Sequence, residues 1–402
     1  MRVCILTEYF HPDTTGGTGT VLSELAQYLA ARYSDLEIDV ISSTNVYRQG
    51  PKRLPRYEVW EGVTIRRLRT PKSNRPSTAL RLAAGAVFTL GVIRRLFVLP
   101  PYDRVLVVTN PPSLPFAAWL LRRLRRTPYI YLVHDLYPDL AIALGALPRQ
   151  GKLARWFAAA QKTWLHGART TVVLGRCMRD HLATRYGVPA RQIIVAPNWS
   201  DPNRFLPEVS SRFRESLGLT GIVALYAGNL GKYADLDTIL DAAKRLTVTS
   251  PEMTVVIVGE GAMRNHVSSR IRAERIANVR LLPMVPAADY PDLLAGADIS
   301  LITTMPGSTG LGVPSKFYNI LASGRPTVAL VSPESEVALV LAEAACGVQV
   351  DHGDSVHLSA ALSALANSPA DRATLGHNAR EVFLRRYTLP QVADLFYKTL
   401  RA

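Results

Sequence analysis

PNWSDPNRFLP, residues 197–207, places three prolines in eleven positions, and one chain pattern runs both before it and after it. Proline fixes φ and lacks a backbone donor, so this density predicts a linker. Upstream, six apolar, β-branched runs read as strands: Arg2–Thr7 (RVCILT), Ile38–Ser42, Val105–Thr109, Ile130–His134, Thr171–Leu174 and Ile193–Ala196. Downstream a second series follows: Val223–Ala227 (VALYA), Thr254–Val258 (TVVIV), Arg280–Leu282, Ile299–Ile302, Thr327–Leu330 and Gly347–Val350. Helical spacing lies between them, as in Gly19–Arg32, where Leu22, Leu25, Ala26 and Leu29 share a face. Ser113–Arg126 is another, with arginines at its C-terminal end, where the helix dipole favours cations. Continuously apolar strands alternating with helices imply a parallel sheet covered on both faces. The expected fold is α/β, two Rossmann-like domains facing each other across a cleft. Residues 1–200 form the first, 201–387 the second, and 388–402 a helix crossing back to the first, with Val392, Leu395, Phe396 and Leu400 on one face.

Size and composition agree with two folded domains. The 402 residues exceed what one core usually organises, and 48% apolar with 20% charged residues excludes a disordered chain. Cys4, Cys177 and Cys346 have no metal-ligand or redox-pair spacing and read as buried thiols, which suits a cytoplasmic protein. Met1–Phe10 contains Glu8 and lacks a cleavage site, so it reads as a first strand rather than a leader. Leu80–Leu99 is the most apolar window, but arginines leave an uncharged run of only Leu82 to Ile93. A bilayer span needs about 20 apolar residues.

Charge is uneven. Residues 1–200 carry 28 Lys and Arg against 12 Asp and Glu; residues 201–402 carry 19 against 20. No zinc-finger, RNP-type or helix-turn-helix pattern accompanies the basic half, so nucleic acid is not the expected partner. An anionic membrane surface, an anionic acceptor or a solvated arginine-rich surface each accounts for it.

Several loops can carry chemistry. Gly16 and Gly17 lie between the first strand and its helix. About eight residues intervene after Thr7, and Leu22 stands where a dinucleotide fingerprint wants its third glycine. Asp39 near the second strand leaves a dinucleotide reading open; a long ligand-approaching loop or a plain turn with Thr18 or Thr20 as cap are the others. His134 and Asp135 end a buried strand, the edge at which α/β proteins bind ligands. In the second half, Gly228, Asn229 and Lys232 (GNLGK) and Gly259, Glu260 and Gly261 (VGEG) follow strand ends. Gly307–Pro326 (GSTGLGVPSKFYNILASGRP) sets three glycines before a helix starting near Pro314–Ser315. Its backbone amides and Lys316 suit a diphosphate, and Asn319 one turn on suits a ribose or base edge. No paired-carboxylate motif demands a divalent ion, so no metal is expected.

The glycines at 16 and 17, GNLGK at 228–232, VGEG at 258–261 and VPSKFYNILASGRP at 313–326 resemble family 4 glycosyltransferases, which have the GT-B fold. PNWSD at 197–201 together with Gly228-Asn229 most resembles the branch that builds bacterial capsule, exopolysaccharide and O-antigen. The resemblance covers nearly the whole chain. It implies a metal-independent, retaining hexosyl transfer from a nucleotide-diphosphosugar, with the acceptor on the N-terminal lobe and the donor on the C-terminal lobe. By position it puts His134, with Asp135 beside it, at the reacting sugar. Gly310, Leu311 and Gly312, continuing into Val313 and Ser315, would approach donor sugar and diphosphate. Gly16 and Gly17 would lie under the donor phosphates or near the acceptor. Two departures stand out. Asn229 replaces a frequent arginine, and Asn319 replaces the glutamate that usually binds ribose, with Leu311 eight residues before it. Lys316, Asn319 and Glu336 are then left to make the contacts.

The expected partners are a nucleotide-sugar donor, UDP-linked by resemblance, and a sugar or lipid-linked acceptor. The Leu80–Leu99 segment, with Arg66, Arg67, Arg69, Lys72 and Arg75 near it, predicts peripheral contact with anionic lipid at the inner face of the cytoplasmic membrane. Two other readings share this fold: a UDP-sugar epimerase, which wants more crevice acids and histidines than His134 and Asp135, and a non-catalytic sugar-nucleotide-binding protein.

Overall fold

A computed structural model of the chain describes residues 1–13, 17–45, 54–71, 78–207, 211–232 and 234–402. Two compact units emerge. The first comprises Met1–Asn198, Gly310–Gly312 and Leu389–Ala402; the second comprises Trp199–Thr309 and Val313–Thr388.

The first unit contains β1 (Arg2–Leu6), β2 (Glu37–Ser43), β3 (Tyr57–Trp60), β4 (Val63–Leu68), β5 (Arg104–Val108), β6 (Tyr129–Val133), β7 (Thr170–Val173) and β8 (Ile193–Val195). Their order in the sheet is β3-β4-β2-β1-β5-β6-β7-β8, and every pairing is parallel except β3 with β4. Chain order reverses between β1 and β5, both buried along almost their whole length. Loops leaving their C-terminal ends therefore diverge and open a crevice.

β3 and β4 form an edge hairpin that apolar-run reasoning passes over, because its strands alternate. On β4 burial alternates residue by residue. The hairpin changes the reading of the basic segment. Arg67 is buried; it pairs with Glu58 at 2.7 Å and donates to the carbonyls of Pro55 at 3.1 Å and His11 at 2.6 Å. Arg66 pairs with the buried Asp39 at 3.4 Å. Both arginines are thus spent inside the unit rather than offered to a membrane. Arg69 stays exposed, while Lys72 and Arg75, like Gly16, lie outside the described residues.

The Leu389–Arg401 helix belongs to the first unit and packs on the Gly17–Arg32 helix, burying Val392, Phe396 and Leu400. Tyr397 stacks on Tyr33 at 3.8 Å, and Arg401 reaches Asp35 at 2.7 Å.

The second unit contains β9 (Val223–Ala227), β10 (Thr254–Val258), β11 (Val279–Leu282), β12 (Ile299–Thr303), β13 (Thr327–Leu330) and β14 (Gly347–Val350). They run all parallel in the order β11-β10-β9-β12-β13-β14. This is the doubly wound order, with its switch point between β9 and β12. The loops leaving those strands contain GNLGK and the glycine-rich segment. Leu236, Ile239, Leu240 and Leu246 from the helix after β9 meet Val255, Ile257, Leu301 and Val328 in one apolar core.

Arg67→Ala removes a charged donor from two carbonyls and one carboxylate in a buried place. Denaturant unfolding is expected to show a loss of about 2–4 kcal/mol; a loss under a few tenths would contradict this account of the hairpin.

Candidate functional site

At the second unit's switch point, a pocket of about 210 Å³ is lined by Ala227, Gly228, Val258, Met284, Val285, Tyr290, Leu293, Ser315, Lys316 and Asn319. Its walls come from the ends of β9 and β10, the segment after β11, the helix Tyr290–Ala295 and the start of the helix Lys316–Ala322. Most of the lining is apolar, and its polar groups are few and clustered, the usual character of a small-molecule site.

Lys316 dominates the electrostatics. Its ammonium lies 3.8 Å from the centroid of the Tyr226 ring, and a Cβ on Gly228 would sit 3.3 Å from its Nζ. Among the described residues no carboxylate lies within ion-pair distance of it. Burial pushes its pKa down to about 7. The side chain keeps partial contact with water, which moderates that push. A cation held against an aromatic face, without a counter-ion, is a place for an anion. Ser315 precedes the helix, exposed, with no side-chain cap bond.

Asn319 sits one turn into that helix. Its Oδ1 accepts from the Ser200 hydroxyl at 2.8 Å, and it also hydrogen-bonds the Tyr290 hydroxyl. Burial nevertheless raises Tyr290 to about 12.

The loops after β9 and β10 press on each other. Gly228 N donates to Val258 O at 2.9 Å, and Leu230 N donates to Glu260 O at 2.9 Å. A Cβ on Gly259 would come within 1.9 Å of Gly228 O, and one on Gly261 within 2.3 Å of Leu230 O. Both glycines are explained by this loop contact. The Glu260 side chain is exposed and pairs with Arg264 at 3.6 Å. Asn229 and Lys232 are exposed, and Glu336 begins the helix Glu336–Ala344, buried. None of Asn229, Lys232, Glu260 or Glu336 lines the pocket.

The first unit has its own polar cluster beyond the end of β6. His134 is 8% exposed, and its Nε2 has no partner. Burial lowers its pKa to about 4, so the imidazole is neutral near pH 7. Asp135 receives conflicting influences: crowding raises it to about 6, yet its surface is open to water. Direct hydration favours the charged form, and Asp135 is a carboxylate at neutral pH. Its backbone N–H donates to Thr109 Oγ1 at 3.3 Å, tying the cluster to the end of β5.

Gly310–Gly312 packs into this cluster. Leu136 N donates to the carbonyl of buried Leu311 at 2.9 Å. A Cβ on Gly312 would lie 3.3 Å from Asp135 Oδ1 and from His134 O, and one on Gly310 would lie 2.8 Å from His181 Cβ. Val313 is buried in the second unit. Gly17 is exposed at the first position of its helix; the crowded glycine there is Gly19, where a Cβ would meet Asp13 O at 2.9 Å. Among the described residues no group of three or more His, Cys, Asp or Glu is arranged to hold a metal.

Two units, each built on a mainly parallel, doubly wound sheet, give the GT-B fold of glycosyltransferases. Solved structures share the fold along the whole chain. Sucrose-phosphate synthase from Thermosynechococcus elongatus superposes with a TM-score of 0.80 at 16% identity, covering 100% of this chain and 98% of that one. Anabaena HepE, solved in complex with UDP, gives 0.75 at 16% identity, covering 100% of each. Residues 16–199 match the glycosyl transferase 4-like domain and residues 210–382 the glycosyl transferases group 1 family, and the chain belongs to this glycosyltransferase family. WcaI of Escherichia coli (strain K12), assigned as a colanic acid biosynthesis glycosyl transferase, is 27% identical over 84% of this chain and 85% of its own. WbjE of Pseudomonas aeruginosa, assigned as a glycosyltransferase, is 26% identical over 71% of each.

Gly259→Ala forces a methyl into the Gly228 carbonyl and separates the two loops. Thermal unfolding is expected to fall by about 4–10 °C for a cost of about 2–3 kcal/mol; an unchanged midpoint would refute the contact.

Proposed function

We propose that the chain is a metal-independent, retaining hexosyltransferase that moves a sugar from a UDP-linked donor to a sugar or lipid-linked acceptor in cell-surface polysaccharide synthesis. The observation that carries this reading is Lys316, a cation without a carboxylate partner in the switch-point pocket of the second unit. The pocket is smaller than the ~300–1,000 Å³ of complete ligand sites. It suits a base and ribose between Val258, Met284, Val285 and Leu293, with the diphosphate emerging past Lys316. The UDP complex of Anabaena HepE and the colanic acid assignment of WcaI support the donor and the pathway class.

In this reading the first unit takes the acceptor. The C1–oxygen bond of the donor breaks as the acceptor hydroxyl attacks from the same face, and a leaving phosphate oxygen takes the hydroxyl proton. Lys316 stabilises the charge growing on the diphosphate, the largest catalytic contribution such a site offers. Neutral His134, with its free Nε2, can hydrogen-bond a sugar hydroxyl without adding charge.

A lipid-linked acceptor is met at the inner face of the cytoplasmic membrane, where the protein sits as a peripheral protein. Three helices of the first unit, Thr78–Val98, Pro115–Arg125 and Lys152–Gly167, pack side by side. They contain nine Lys and Arg and no Asp or Glu. Leu82, Val87 and Leu90 on the first, Leu124 on the second, and Leu153 and Trp156 on the third are exposed; Leu90 is 64% and Trp156 66% accessible. Apolar side chains among basic residues on helices that carry no acidic residue fit an anionic lipid surface. Among the described residues no helix is long and apolar enough to cross a membrane.

A panel of UDP- and GDP-sugars, offered with lipid-linked acceptors, tests the activity through released nucleoside diphosphate. Lys316→Ala is expected to lower kcat about 100-fold; near-wild-type turnover would remove Lys316 from the mechanism. Because the ammonium loses its proton as pH rises through about 7, UDP affinity should hold below that pH and weaken above it. Titration calorimetry should find that weakening gone in Lys316→Ala. For the membrane, flotation with phosphatidylglycerol vesicles at low salt should carry the protein upward. Combining Leu90→Glu with Trp156→Glu should leave it at the bottom; equal flotation of the variant would overturn the assigned surface.

A further inference from the structure

Resting on the pocket of the second unit being a nucleotide site, we propose that Tyr226 is a positioning residue for its cation: the ring face holds the Lys316 ammonium, charged, beside the pocket, where a carboxylate counter-ion would otherwise be needed. The ammonium lies 3.8 Å from the ring centroid. Among the described residues lining the pocket there is no Asp, Glu, His or Arg, so Lys316 has neither a counter-ion nor a competing cation there. A carboxylate partner would hold the ammonium more strongly but would cancel the charge meant for a diphosphate. The negative face of an aromatic ring attracts a cation without neutralising it, and leaves its N–H groups able to donate elsewhere.

The ring is itself fixed. Tyr226 lies on β9, in register with Ile257 of β10 on one side and Leu301 of β12 on the other. It is 2% exposed and packs in the apolar core with Leu230 and Leu236. Its hydroxyl donates to the Asn229 carbonyl at 3.1 Å, which anchors the far end of the ring to the loop after β9. Gly228 keeps the ground between them open, since a Cβ there would lie 3.3 Å from Lys316 Nζ and 3.8 Å from the Tyr226 hydroxyl. Burial alone lowers the Lys316 pKa, to about 7, and attraction to the ring face acts in the opposite direction. The other titratable group in the pocket wall is Tyr290, which burial raises to about 12, and burial raises Tyr226 as well. Neither exchanges a proton near neutrality, so a change in binding there reports on Lys316.

Calorimetric titration of the full chain with UDP across the neutral pH range tests this. Tyr226→Phe keeps the ring face and loses the hydroxyl, and its dissociation constant should stay within about twofold of the parent value. Tyr226→Leu removes the face. Its binding at neutral pH should weaken about tenfold, and the decline of affinity with rising pH should begin about one pH unit lower. Equal weakening in the two variants would assign the effect to the Asn229 bond and overturn the proposal. Phenylalanines bearing successive ring fluorines at position 226 keep the shape of the ring while draining negative charge from its face. UDP affinity should fall with each added fluorine, and a flat series would overturn the role of the face even where Tyr226→Leu fails to fold. Failure of the unaltered chain to bind UDP would instead overturn the nucleotide reading on which the inference rests.

Discussion

A parallel sheet must be covered on both faces, because its strands are apolar on both and its connections are crossovers. That requirement organises this chain twice. Strands such as Tyr129–Val133 and Ile299–Thr303 are buried at every position, and the helices between them exist to bury them. Chain order reverses once in each sheet, between β1 and β5 and between β9 and β12. At those two places the C-terminal loops part, and the polar chemistry collects at the reversal in the second unit and one strand away from it in the first. His134 and Asp135 stand just past β6 in the first unit, while Gly228 and Lys316 meet past β9 in the second.

The glycines divide by physical cause. Gly259 and Gly261 are required because a neighbouring carbonyl fills the space of a side chain. Gly312 keeps a side chain off Asp135 and the His134 carbonyl. Gly228 leaves room for the Lys316 ammonium. Equivalent glycine-after-strand motifs thus serve loop packing in one place and ligand approach in another, and only the neighbours tell them apart. Charge divides in the same way. Arg66 and Arg67 are consumed by Asp39 and Glu58, whereas three helices carry nine Lys and Arg with no acidic residue among them.

Much of the fold was legible from local pattern. Twelve of the strands coincide with short, mostly apolar runs, and such runs announce themselves wherever they occur. The hairpin of Tyr57–Trp60 and Val63–Leu68 was not, because at a sheet edge alternate residues face water and the signal is diluted by arginines. Of the site, His134, Lys316 and Asn319 could be picked out by their positions after strands or on the helix following the glycines. Tyr290, Met284, Val285 and Ser200 carry no such mark; the first three reach the pocket from segments well before Asn319 along the chain, and Ser200 bonds Asn319 itself from a separation of 119 residues.

By itself, then, the sequence determined two series of buried strands, a proline-rich break near residue 200 and a glycine-rich segment ending in Lys316, because periodicity, proline and glycine act on their own stretch of chain. Whether a cation is free or neutralised, and whether an amide faces a ligand or is held by a serine and a tyrosine, depends on groups brought together from distant segments. The unpaired ammonium over Tyr226, the doubly engaged Asn319 and the buried Arg67 were decided only by tertiary structure, since Coulombic and hydrogen-bonding partners are chosen by distance in space and not along the chain.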